Sequence, residues 1–300
     1  MASSEIQSAT PASPSRLLRD GCRLCGRAGQ TAIALSNGET NLLKCKACGV
    51  GFVDPPPDPV SVARHFQEDY ITDDFGLEKV YGDLRKAALT RIAREVHRRK
   101  RGGRILDVGC AGGYFLDRYF GRAQWEKFGV EPSRYALRRA LQRGIKTFEG
   151  EMLSVELPPR FFDVIIAAGV LPYFRKPQKE LLVIRRSLKP DGLLVIELPL
   201  GAPQLWRHAT RLGRLTGGGA RSIFDSPHLF FYDLDSLRFL LRKTGFRSDG
   251  FCPSPGNQQT SRFHNMLFQC YYQASRLLAW SSGGRTMLGP GLLICANPGV

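Results

Sequence analysis

The sequence predicts a doubly wound α/β domain preceded by a small cysteine module. Three observations carry this expectation. From residue 103 onward, short apolar runs alternate with helical segments; a glycine-rich turn closes the first of those runs; and two Cys-x2-Cys pairs stand ahead of them. Alternation of this kind builds a parallel sheet covered by helices on both faces. A chain of 300 residues, 43% hydrophobic and 23% charged, has the size and composition to bury a substantial core.

Residues 1–18 lack an apolar stretch of the secretory kind and read as a Ser/Ala/Pro-rich disordered leader. Residues 19–54 form the cysteine module. Cys22 and Cys25, then Cys45 and Cys48, make two knuckles, each followed by a glycine (Gly26, Gly49) that permits a left-handed turn. The intervening TAIALSNGETNLLKC offers two strands around an Asn37-Gly38 turn. Two such pairs suit a closed four-thiolate zinc site, structural rather than catalytic; a redox pair or four unrelated buried thiols are the plain alternatives. Residues 50–59, VGFVDPPPDP, read as a stiff extended linker, and 55–102 as linker plus helices. The basic finish Arg98-Arg99-Lys100-Arg101 reads as a solvated helix end.

In the core, RILDVG, WEKFGVEP, IKTFEG, FFDVIIAAGV and GLLVIELPL are strand-like, while SRYALRRALQRG, KPQKELLVIRRSLKPD and DLDSLRFLLRKTGF are helix-like. Ligands of such sheets bind at the carboxyl ends of the strands. The turn after the first strand, Asp107-Val108-Gly109-Cys110-Ala111-Gly112-Gly113, lets a ligand approach the backbone at a helix N-terminus. Glu131 ends the second strand, where a carboxylate can accept both hydroxyls of a ribose, and Glu151 with Met152 follows the third. A dinucleotide G-x-G-x-x-G is not satisfied, since position 114 is Tyr.

The ordered series LDVGCAGGYFLD, GVEPS, GEMLSVELP, FFDVIIAAGVLPYF and LKPDGLLVIELP resembles the motifs of class I S-adenosylmethionine-dependent methyltransferases. CRLCG and KCKACGVGFVDPPP resemble the zinc-ribbon start of a branch that includes small-molecule and sugar-pathway enzymes. The resemblance implies a Rossmann-like seven-stranded sheet over 103–300, its last strand antiparallel at Leu292–Asn297. It also implies that Asp107, Gly109, Ala111 and Gly113 line the methionine end of the cofactor, that Glu131 holds the ribose, and that Glu151 and Met152 contact the adenine. Ala111 stands where the family often has glycine.

Methyl transfer to an O- or C-nucleophile needs alignment and a base. His228, between the fifth strand and the next helix, is the candidate base, with Asp225 and Tyr232 as orienting groups; Tyr173 after the fourth strand can touch either ligand. Loop or core packing is the plain alternative for each. Residues 199–227 read as a lid, with a Gly217-Gly218-Gly219 run. Its Arg207, Arg211, Arg214 and Arg221 suit an anionic substrate or merely a solvated face. The insertion 261–282 carries apolar residues at 263, 266, 267, 270, 271, 274, 277 and 278, one helical face expected to dock on the sheet or on a second copy.

The net charge of +16 is dispersed: 15 cations and 12 acids in residues 1–100, 17 and 11 in 101–200, and 11 and 4 in 201–300. This spread weakens a nucleic-acid reading. No run reaches the roughly 18 apolar residues of a membrane helix, and eight cysteines without a signal fit the cytosol. The expected function is O-methylation of a small-molecule or glycan-precursor acceptor, with nucleic acid not expected as a partner. Two alternatives stay open: an RNA methyltransferase using the ribbon and the basic surface, and a noncatalytic binding protein with the same fold.

Overall fold

The computed structural model describes residues 21–37, 39–64, 85–201, 224, 227–255, 262–283, 285–287 and 289–299. Seven strands form one sheet: β4 (Gly103–Val108), β5 (Trp125–Glu131), β6 (Lys146–Glu149), β7 (Phe162–Ala168), β8 (Leu188–Pro199), β10 (Phe246–Ser254) and β11 (Gly291–Pro298), in the order β10-β11-β8-β7-β4-β5-β6. β4, β5, β6, β7 and β8 run parallel, whereas β11 is antiparallel to both β8 and β10. Apart from Asp107 and Glu197, the central runs ILDV, VIIA and LLVIEL are apolar because helices cover both of their faces. The Rossmann-like α/β reading therefore holds, including the antiparallel last strand.

One face is covered by α2 (Lys86–Arg99), α3 (Tyr114–Phe120) and the Ala140 side of α4 (Arg134–Gln142). Leu89, Ile92 and Val96 line the buried stripe of α2 at helical spacing. Phe115, Phe120 and Trp125 meet edge to face beside it. The other face is covered by α5 (Pro177–Ser187) and α6 (Leu234–Lys243), whose Leu181, Ile184, Leu237 and Leu240 are fully buried. A short helix, α1 (Pro59–Arg64), precedes α2, and its last end is cationic where a helix dipole favours it. At the end of α2, Arg98 and Arg99 pair with Glu95 and Lys100 with Asp191, so this basic finish is neutralised as a solvated helix end.

The cysteine module is a hairpin of β1 (Thr31–Ser36) and β2 (Asn41–Cys45), its turn held by Asn37 Oδ1 accepting from the amides of Glu39 and Thr40. The stretch expected to be a linker instead contributes β3 (Gly51–Asp54), fully buried and paired with β2 on one side and with β9 (Phe230–Phe231) on the other. Val50, Phe52 and Val53 are apolar enough to complete a sheet, and that burial outweighs the stiffness signalled by the prolines after Asp54. The module is thus continuous with the main domain: Cys22, Leu24, Cys45 and Phe52 share one core with Leu106, Leu181 and Tyr232.

The last helix, α7 (Arg262–Ser281), corrects a second expectation. Its docked face is Tyr272, Ser275 and Ala279, at i, i+3 and i+7, while Met266, Leu267, Leu277 and Trp280 are exposed. The predicted apolar face is one step around the helix from the face that packs; counting apolar residues cannot tell a docked stripe from an exposed one. Among the described residues, no helix is long and apolar enough to cross a membrane.

Candidate active site

β4 ends in a turn whose shape depends on three left-handed residues, Gly109 (φ +72°), Ala111 (φ +46°) and Gly113 (φ +79°). A side chain at Gly109 would come within 2.5 Å of Val170 Cγ1, and one at Gly113 would run into Ile145. The amides of Gly109 and Cys110 both donate to Val130 O, at 2.8 and 3.1 Å, and Arg143 Nη1 donates to Gly112 O at 2.6 Å. The turn is therefore rigid before any ligand arrives. It leads into α3, whose first amides face the open end of the sheet.

Glu131 closes β5 beside this turn and is buried. Ala111 N donates to its Oε2 at 3.1 Å and Ser133 N to its Oε1 at 3.0 Å. Burial raises its pKa, and the amides of Ser133 and Ala111 oppose that shift. Each oxygen keeps a lone pair for a hydroxyl, so a diol can be gripped without breaking either bond. Asp107 lies deeper, its carboxyl pushed up to about 8 by burial, with the Arg85 cation opposing and Glu131 adding to the rise. Met152 is buried in the core, whereas Glu151 is exposed, its carbonyl accepting from Ser154.

A buried network at the same edge was not read from the sequence. Arg85, just before α2, pairs with Glu197 of β8 and donates to Ala168 O at 3.4 Å. Glu197 Oε1 accepts from Ser254 Oγ at 2.9 Å. One signal for it was present: a single acid inside the apolar strand LLVIELP needs a buried cation.

Beyond β7, a 3-10 turn (Leu171–Tyr173) brings Tyr173 against His228, with ring centroids 4.8 Å apart, and Phe231 lies 5.8 Å from His228 on another side. Tyr173 and His228 are thus brought together at the carboxyl edge, both half-buried. Burial pulls the His228 pKa down to about 4, so the imidazole is neutral at pH 7 but a poor proton acceptor. Tyr232 is fully buried beside Phe230, its hydroxyl without a hydrogen bond among the described residues. It packs the core and does not orient His228. Asp225, Arg207, Arg211, Arg214 and Arg221 lie outside the described residues.

The four module cysteines are free thiols whose sulfurs all lie within 4.8 Å of one another. Cys22 to Cys48 and Cys25 to Cys45 are each 3.7 Å apart. Tetrahedral zinc with bonds of about 2.3 Å sets sulfurs about 3.8 Å apart, so the donor set fits that ion. The Cys48 thiol, with the amides of Cys25 and Leu24, pulls Cys22 down to about 5, while Cys48 is pushed up. Two helix starts hold the module: Gln178 Nε2 of α5 donates to Leu24 O at 2.6 Å, and Asp233, the cap of α6, sits against Gly49 and pairs with Lys44 at 3.5 Å.

A family model described as a methyltransferase domain matches residues 81–249. The tRNA U34 carboxymethyltransferase of Hydrogenovibrio crunogenus is 33% identical over 109 residues, 32% of each chain. That of Cellvibrio japonicus is 29% identical over 181 residues, 54% of this chain and 53% of its own. The chain therefore matches between a third and about half of these relatives' length. Among solved structures, a Thermotoga maritima S-adenosylmethionine-dependent methyltransferase, a possible histamine N-methyltransferase, superposes with a TM-score of 0.52 at 18% identity, over 78% of this chain and 99% of that one. That likeness speaks for the fold. The expectation of a small-molecule or glycan-precursor acceptor, with nucleic acid not expected, is overturned by the relatives, which are tRNA-modifying enzymes and agree instead with the RNA alternative. Dispersal of the charge was a poor reason to set RNA aside, because the acceptor is not encoded in the donor turn.

Proposed function

Because the chain belongs to the methyltransferase-domain family and is an S-adenosylmethionine-dependent methyltransferase, we propose that its acceptor is RNA, with transfer RNA as the substrate class. The observation that carries this reading is the sequence similarity to tRNA U34 carboxymethyltransferases, over 32–54% of this chain. The net charge of +16 agrees with it, since a polyanion is drawn to a cationic surface.

Bound S-adenosylmethionine supplies an electrophilic methyl group on a sulfonium sulfur. The rigid Gly109–Gly113 turn would hold its amino-acid end, and Glu131 its ribose hydroxyls, through oxygens already aimed by Ala111 N and Ser133 N. Met152 and Glu151 stand past β6 as the adenine contacts. On the acceptor side, Tyr173 and His228 form the wall that meets the incoming base. A neutral His228 accepts a hydrogen bond from the acceptor's N–H or O–H and orients it, and the proton lost on methyl transfer passes to solvent. Arg207, Arg211, Arg214 and Asp225, outside the described residues, are proposed to contact that acceptor. Cys22, Cys25, Cys45 and Cys48 are proposed to hold a structural zinc, which pins β3 and, through it, β9 and the His228 loop.

The test supplies methyl-labelled donor with a bacterial tRNA pool in one arm and a panel of nucleotide sugars and phenols in the other. The expected result is nuclease-sensitive label in the tRNA arm, lost in Glu131→Ala. Label in a small molecule with none in RNA would reject the reading.

A further inference from the structure

A groove of about 610 Å³ runs between α2 and α7. Its walls carry four cations, Lys86, Arg91 and Arg94 from α2 and Arg276 from α7, with Thr90 and Tyr272 between them and no acid among the described lining residues. The two helices supply little to neutralise these charges. α7 contains no Asp or Glu, and the single acid of α2, Glu95, is taken by Arg98 and Arg99. Tyr272 instead organises the groove: its hydroxyl accepts from Arg91 Nη1 at 3.3 Å, and the Arg276 guanidinium lies 5.9 Å from its ring centre. Arg91 Nε is buried with no hydrogen bond among the described residues. Three other surface cations, Arg134, Lys146 and Lys100, each have a carboxylate within 2.8 Å.

We propose that this groove binds the phosphate backbone of the RNA acceptor, an inference that rests on the RNA reading above. Length favours a run of phosphates over a single small anion. Lys86 to Arg94 spans eight residues of helix, about 12 Å, which covers several nucleotides of a strand. Position agrees as well. α2 begins one residue after Arg85, which bonds the carboxyl ends of β7 and β8, and Pro255 follows the carboxyl end of β10. The groove therefore opens on the same edge of the sheet as the Tyr173–His228 wall, so a strand held there can present a nucleotide to the site. Phosphate contacts of this kind set register and affinity while the site itself selects the base.

Fluorescence anisotropy with a fluorescein-labelled tRNA transcript tests the assignment. Three proteins are compared: wild type, the groove variant Lys86→Gln/Arg94→Gln/Arg276→Gln, and a control, Arg138→Gln/Arg242→Gln, that removes exposed cations elsewhere. The substituted groove side chains are exposed, and matched thermal melts and donor calorimetry verify an intact fold. The expected result is a loss of about tenfold per phosphate contact at 0.1 M salt in the groove variant, with a log–log salt slope shallower by roughly one per contact. The control should lose far less. Equal binding by groove and control variants would overturn the groove while leaving the RNA reading intact. Absence of tRNA binding by the wild type would remove both. A poly-glutamate peptide bound through these residues, with tRNA affinity unchanged by the substitutions, would overturn it in favour of an acidic protein partner.

Discussion

Ala111 shows how finely the donor turn is set. At φ +46° it occupies a conformation that costs a residue with a Cβ about 1 kcal/mol or more, offset partly by the extra chain entropy a glycine would lose. Ala111→Gly should therefore be stability-neutral or stabilising by up to about 1 kcal/mol in chemical denaturation. Gly113→Ala should cost about 2 kcal/mol or more, since its methyl meets Ile145 and Ala140 in addition to the backbone strain. The sign for His228 follows from its lowered pKa. The unfolded chain binds a proton near 6.5 and the folded chain only near 4, so stability is lost as pH falls between those values, by at most about 3 kcal/mol. The difference in unfolding free energy between wild type and His228→Leu, followed from pH 7 to pH 4, should show that slope; a pH-independent difference would refute it. The glycines, Glu131 and the cysteines were legible because their chemistry leaves spacing in the sequence. Arg85 was not, because its partner Glu197 lies on a strand far along the chain. Glu197→Leu should cost about 3–5 kcal/mol, as it strands a buried guanidinium.

At the level of elements, the pairing of β3 with β9 links the ribbon to the acceptor wall. Phe230 and Phe231 follow His228 by two and three residues, so order in the ribbon and order in that loop rise and fall together. Chelation of the metal, or Cys45→Ser, should raise amide hydrogen exchange at residues 228–232 while leaving the Gly109–Gly113 turn protected. Donor affinity should then change less than RNA turnover. Exchange confined to residues 21–54 would show the ribbon to be an independent appendage. The hairpin was legible from Asn37-Gly38 and its flanking apolar residues. The role of Val50–Asp54 was hidden, because a four-residue apolar run beside prolines has no period of its own, and only the distant Phe230–Phe231 gives it a partner. The same limit explains α7, where Tyr272 docks although its neighbours at 271, 277 and 278 look equally suited.

For the whole molecule, the parallel sheet was legible because strand and helix alternate with distinct periods, and its antiparallel last strand because of the family resemblance. The acceptor was not, since a charge of +16 counts cations without showing which are neutralised. The fold sorts them: the end of α2 is paired with carboxylates, whereas the α2–α7 groove is not. The Gly109–Gly113 turn and the Tyr173–His228 contact follow carboxyl ends of strands of one sheet, and the groove begins beside two more, the arrangement that the RNA proposal requires. Nucleoside mass spectrometry examines that arrangement most directly. Unmodified tRNA is incubated with the protein and S-adenosylmethionine, digested, and compared with the Glu131→Ala reaction. One nucleoside should gain the mass of a methyl group with the wild type alone; an unchanged nucleoside profile from a protein that binds both donor and tRNA would contradict it.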